Sequence, residues 1–191
     1  MKESILGQFY YTVASLPLLQ YEEPVDLKHS DYLEDCRKWL KPAEWDILRS
    51  SLINPETEKE FPGIAEQYRR WEISLRNELV ALRSGALGLE ADDYTVPGEH
   101  FSDTAALAAA AFKEESPLAA ENALNKGRWE YIESLKVGHF FDLEFLVLFS
   151  LQLQILERKR CFNEETGYAR YQEIYKNILS GIDDVAVGEQ A

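Results

Sequence analysis

Residues 139–160 read HFFDLEFLVLFSLQLQILERKR, the most hydrophobic stretch of the chain. Apolar side chains dominate it, yet Asp142, Glu144, Gln152 and Gln154 interrupt it, and a charged run, Glu157-Arg158-Lys159-Arg160, closes it. A membrane span needs about 20 mostly apolar residues with few such groups. Segment 140–160 is therefore expected as a buried helix of an all-helical domain rather than a transmembrane one. Its acids fall in the first turn and its basic residues in the last, which is how the helix macrodipole favours them.

Helical spacing continues on both sides. Downstream, Asn163 is placed to cap a last helix over 164–180, with Tyr168, Tyr171, Ile174, Tyr175 and Ile178 on one face. Gly181 ends it and 182–191 reads as a frayed tail. Upstream, Ser116 and Pro117 open a helix running toward Val137, and Gly138 breaks it. Asp103 is expected to cap an alanine-rich helix over 104–112, whose small side chains let another helix come close. The longest pattern covers 62–83: Ile64, Tyr68, Trp71, Leu75, Leu79 and Leu82 recur every three or four residues, and Gly85 and Gly88 end it. Ser30 suits an N-cap ahead of Tyr32, Leu33, Cys36, Trp39 and Leu40, and Pro42 opens a short helix with Trp45, Leu48 and Leu52. Segment 5–15 fits a helix or a strand. With no further strand pattern and no alternation of strand and helix, the fold class is an all-α multi-helix bundle.

The polar stretch 91–102, with a Pro97-Gly98 turn signal, suggests a linker between an N-terminal half, 1–90, and a C-terminal half, 103–181. Arg70-Trp71-Glu72 recurs as Arg128-Trp129-Glu130, which reads either as coincidence or as a duplicated helical unit.

Charge and chemistry narrow the function classes. The 34 acidic residues exceed the 20 basic ones, leaving a net charge of −14. Such a field repels phosphate backbones and anionic membrane surfaces, so no nucleic-acid partner is expected. Cys36 and Cys161 form no paired motif and read as reduced thiols of a cytoplasmic protein. The opening residues lack the continuous apolar core of a signal peptide. His29, His100 and His139 share no ligand spacing, so no metal centre or cofactor is expected, and His139 reads as a capping or packed side chain. Gly85-Ala86-Leu87-Gly88 lacks the lysine of a phosphate loop, and no serine sits in a nucleophile elbow. No catalytic residue emerges, and the chain is expected not to be an enzyme. The residues expected to meet a protein partner are Trp71, Arg76 and Arg83 on the long helix and the cluster Arg158, Lys159 and Arg160. Tryptophan and arginine dominate interface energetics, and the cluster is the densest positive run on an acidic chain.

Three segments carry a resemblance. Tyr10-Tyr11-Thr12-Val13-Ala14-Ser15-Leu16-Pro17 resembles the opening of an uncharacterised bacterial family encoded in V/A-type ATPase operons. LQLQILERKRCF followed by GYARYQEIY resembles that family's C-terminal half. The helix Trp71-Glu72-Ile73-Ser74-Leu75-Arg76-Asn77-Glu78-Leu79 is similar to the "EI-x-x-x-N-L" helix of the cup-shaped helical adaptor in the V/A-type ATPase central stalk. The resemblance implies a non-catalytic helical adaptor that passes torque between stalk and rotor ring. It implies stalk and ring proteins of the ATPase as partners, and a cytoplasmic place reaching the inner membrane only through the complex. Two other readings stay open. One is an assembly factor for the same ATPase. The other is an independent helical enzyme or small-ligand protein with a pocket formed by Tyr10, Tyr11, Trp129 and His139.

Overall fold

The computed structural model describes residues 9–162 together with 167, 170–172 and 174–175. Among these the secondary structure is helical, with no strand. The elements are α1 (Tyr10–Ala14), α2 (His29–Arg37), α3 (Pro42–Ser50), α4 (Ile64–Leu87), a 3-10 turn (Ala91–Asp93), α5 (Ser102–Phe112), α6 (Pro117–Leu135) and α7 (Leu143–Cys161). The chain divides into two compact units, Met1–Lys159 and Arg160–Ala191. The expected last helix and its Asn163 cap lie outside the described residues, apart from six helical positions between 167 and 175. No helix among the described residues is long and apolar enough to cross a membrane.

Helix α7 explains the first unit. Leu146, Leu148, Leu151, Leu153 and Ile155 are sealed from solvent, and so are the polar Ser150 and Gln152. Leucine at every second or third position, with phenylalanine, valine and isoleucine between, makes the helix apolar on nearly all sides, which suits a helix surrounded by others. The larger core gathers α7 with Tyr32, Cys36, Leu48, Ile64, Tyr68 and Ile132. A second core joins Trp71, Leu75 and Leu79 of α4 to Ala108 and Ala111 of α5 and Leu124 of α6. Helix α4 thus belongs to the first core through Ile64, Ala65 and Tyr68 and to the second from Trp71 onward. Alanine on α5 and Gly127 on α6 allow close approach: a Cβ on Gly127 would stand 2.3 Å from Leu107 Cδ2.

Helix ends were partly legible. Pro42 and Pro117 open α3 and α6 as expected, and Gly88 closes α4 in the left-handed conformation at φ 68°. Gly85 lies inside the helix instead. Ser30 is not the cap of α2; the residue before that helix is Lys28, and Glu157 of α7 accepts the orphan His29 N–H at 2.7 Å. Asp103 does not cap α5 either, because its carboxylate accepts the Trp71 indole N–H at 2.8 Å. Asp142 does cap α7: its Oδ1 accepts the Phe145 N–H at 2.9 Å.

Segment 91–102 corrects the expected division into halves. Asn77 Nδ2 donates to the Val96 carbonyl at 2.7 Å while its Oδ1 accepts the Val96 N–H at 3.0 Å. Ser74 Oγ accepts the Phe101 N–H at 3.1 Å, and Arg70 pairs with Glu99 at 2.8 Å. The stretch is laid along α4, and both expected halves contribute to the single unit Met1–Lys159. The repeated triplets do not occupy equivalent positions. Arg70 and Glu130 are exposed, whereas Glu72 and Arg128 are buried and bind each other.

Candidate functional site

The segment 9–19 presents an outward-facing apolar surface on the first unit. Phe9 and Leu19 are buried and pin its two ends to the core. Between them α1 makes little more than one turn; Ser15 Oγ donates to the Thr12 carbonyl at 2.8 Å, and the backbone ahead of Pro17 leaves the helix. Val13 and Leu16 also pack against the core, while Tyr11 and Leu18 turn outward, each 83% exposed. Across from them, the end of α2 leads to Trp39, 68% exposed. The space between is a groove of about 380 Å³, lined by Tyr11, Thr12, Leu16, Pro17, Cys36 and Trp39 among others.

The floor of the groove is chemically quiet. Tyr32 donates its hydroxyl to the Leu146 carbonyl at 2.7 Å, and burial raises that phenol well above its ordinary range. Burial likewise pushes the Cys36 thiol up to about 11, so it stays protonated and unreactive. At the rim, Asp35 and Lys38 pair at 2.7 Å and are both solvent-exposed. The groove walls carry tyrosine and tryptophan, residue types enriched among the anchors of protein interfaces.

The expected partner residues fare differently. Trp71 is 1% exposed and stacks on Tyr131 at 4.4 Å, so the anchor expected on the surface is a core residue. Arg76 is partly covered and donates to Glu72 at 3.1 Å and to the Pro55 carbonyl at 3.3 Å. Arg83, near the end of α4, is exposed. The basic cluster is not an open patch. Arg158 lies 2.7 Å from Glu121, and Lys159 binds Glu22 at 2.8 Å and covers the Tyr21 ring at 4.1 Å. Arg160 is exposed and begins the second unit. The signal that misled is periodic: Trp71 falls on the apolar stripe of α4, where core and interface look alike.

Those charges form a chain through the first unit. Arg128 Nε and Nη2 clasp Glu72 at 2.9 and 3.0 Å, a two-point grip on a carboxylate with no exposure. Burial alone would lower the Arg128 pKa, but Glu72 outweighs it and holds the guanidinium charged. Arg128 also approaches Glu121 at 3.6 Å, and Glu121 meets Arg158. Arg76, Glu72, Arg128, Glu121 and Arg158 thereby tie α4, α6 and α7 together. The "EI-x-x-x-N" residues are thus internal: Glu72 is gripped, Ile73 is buried and Asn77 binds the 91–102 stretch.

Two further polar groups have structural accounts. His29 Nε2 contacts Ser150 Oγ at 2.8 Å, and burial lowers the imidazole pKa despite Glu157 nearby. Ser150 is fully buried, which bars it from attacking a substrate. His139, Asp142 and Glu144 form the one set of three potential metal ligands found among the described residues. His139 Nδ1 already bonds Asp142 Oδ2 at 2.7 Å, Asp142 Oδ1 caps α7, and a Cβ on Gly63 at the start of α4 would lie 3.7 Å from Glu144 Oε1. Both carboxylates therefore sit at helix N-termini, whose positive ends favour anions over a cation. The four residues of the small-ligand expectation are not gathered in one pocket: Tyr11 lines the groove, Tyr10 packs on Phe141 and Trp129 on Tyr21.

Comparison of the chain with protein-family models, with curated proteins and with solved structures finds no match.

Proposed function

We propose that the chain is a non-catalytic helical adaptor of a V/A-type ATPase, and that it holds a neighbouring protein of that complex on the groove between α1 and α2. One observation carries the reading. The Tyr10–Pro17 segment that resembles the operon-encoded family lines the groove with Tyr11, Thr12, Ser15, Leu16 and Pro17, while buried Phe9 and Leu19 take over the work of anchoring it. Tyr11 at 83% exposure therefore has little to do for the fold and much to offer a partner. The ionic chain through α4, α6 and α7 supports the mechanical part. A piece that passes torque must resist bending, and charge pairs buried between three helices oppose sliding because any shift strands a charge.

The test is affinity purification of tagged protein from native membranes. Stalk or ring proteins are expected to accompany the unaltered chain and to be lost with Tyr11→Ala combined with Trp39→Ala. Recovery of the tagged chain without any ATPase protein, or equal recovery of those proteins with the double variant, would overturn the proposal.

A further inference from the structure

The groove also bears on what kind of element it receives, which rests on the docking role proposed above. Its walls are apolar and aromatic, with Tyr11 and Trp39 facing solvent on either side and Leu16 and Pro17 between. Its volume of about 380 Å³ accommodates a few aliphatic side chains rather than a whole domain. Helix α2 forms one wall. Asp35 pairs with Lys38 at the rim, and Asp31, one turn earlier, accepts the Ser30 hydroxyl at 3.0 Å. Glu34 beside them is exposed. Segment 9–40, which builds both walls, carries the acids Glu22, Glu23, Asp26, Asp31, Glu34 and Asp35 against Lys28, Arg37 and Lys38, on a chain whose net charge is −14. Asp35 and Lys38 are the charged residues that line the slot itself, and an apolar slot set in a net-acidic segment selects against acidic partners and attracts basic ones.

We infer that the groove receives a basic amphipathic helix of another protein, with aliphatic side chains seated between Tyr11 and Trp39 and lysine or arginine facing α2. This is the helix-in-groove mode of recognition, in which apolar residues one turn apart provide the anchors and flanking charge provides selectivity.

Two fluorescently labelled peptides of about 18 residues, roughly five helical turns, test it. Both carry the same leucine face; one has a lysine polar face and the other a glutamate one. Anisotropy titrations use the full-length chain. The lysine peptide is expected to bind at least about tenfold more tightly than the glutamate peptide, and binding is expected to weaken with added salt. Trp39→Ala and Tyr11→Ala are each expected to weaken it by about tenfold. Both side chains are largely exposed, so the variants should retain the circular dichroism and melting of the parent. Equal binding of both peptides overturns the inference, as does no binding. Lysine-peptide binding untouched by either variant also overturns it, because the contact is then diffuse attraction to an acidic surface. Self-association that buries Trp39 overturns it in favour of a second copy as occupant. If the peptide result holds while ATPase proteins fail to co-purify, the groove assignment stands and the ATPase placement falls; the reverse pattern removes only the helix chemistry.

Discussion

Glu66 shows how much one side chain in the first turn of a helix can organise. Its carboxylate accepts from Arg69 at 2.7 and 2.8 Å, from Arg70 at 3.0 Å and from the Phe61 N–H at 3.0 Å. Arg69 in turn donates to the Thr57 carbonyl, so the loop before α4 is held through this one acid. The Arg69 hydrogen bonds, followed by those of Phe61 and Arg70, hold the carboxyl down to about 2 from an ordinary 4.5. A depressed folded-state value means the stabilisation is complete above the ordinary value and drains away as pH falls from about 4.5 toward 2. Replacing Glu66 by Gln is expected to cost about 1–2 kcal/mol at pH 7 and much less near pH 2, read from urea unfolding at the two values. Equal destabilisation at both would show that the carboxylate charge is not what matters. At Glu72 the stakes are higher, since the carboxylate is sealed from water. Arg128→Met is expected to cost about 3 kcal/mol or more by leaving that charge with Arg76 alone, and adding Glu72→Leu should return much of the loss. A double variant no more stable than the single one would contradict this account.

Among the elements, α5 and α6 depend on what is missing from their faces. Ala108 and Ala111 are buried against α4, and Gly127 faces Leu107 with no room for a Cβ at its present position. Gly127→Ala has an ambiguous sign, because Leu107 presents flexible methyls and alanine favours helix by about 1 kcal/mol. Gly127→Leu has no such escape and is expected to destabilise by about 2 kcal/mol or more through overpacking, visible as a lower melting temperature. An unchanged melting temperature would mean that the helices part without cost. The element ends teach a related lesson. Proline at the start of α3 and α6 and glycine past α4 were readable because those preferences are local. The cap of α2 was not, because Glu157 comes from a helix far along the chain.

For the molecule as a whole, the surface and the interior have separate assignments. Tyr11 and Trp39 are exposed, whereas Trp71, Glu72 and Arg128 are not. The combined Tyr11→Ala and Trp39→Ala variant is therefore expected to change unfolding free energy by less than about 1 kcal/mol while losing partner binding. A large loss of stability would place those side chains in the fold instead. The acid limb tests the interior from another side. His29, held below its ordinary pKa chiefly by burial, contributes stability that is full above the ordinary histidine range and lost as pH falls through its depressed value. His29→Gln is expected to flatten the stability profile as pH falls below the ordinary histidine range, read from urea unfolding across that range.

What the sequence determined by itself was the helical class, most helix positions and the buried character of α7. Each follows from local spacing and composition, which act within a few residues along the chain. Only the tertiary structure decided which polar and aromatic groups face inward. Trp71, on a stripe suited to core or partner, went to the core; Arg158 and Lys159, which spelled a basic patch, found Glu121 and Glu22. The division at 91–102 dissolved for the same reason, once Asn77 and Ser74 supplied partners for its backbone. Charge pairing and burial depend on residues brought together from distant parts of the chain, and spacing along one helix carries no record of them.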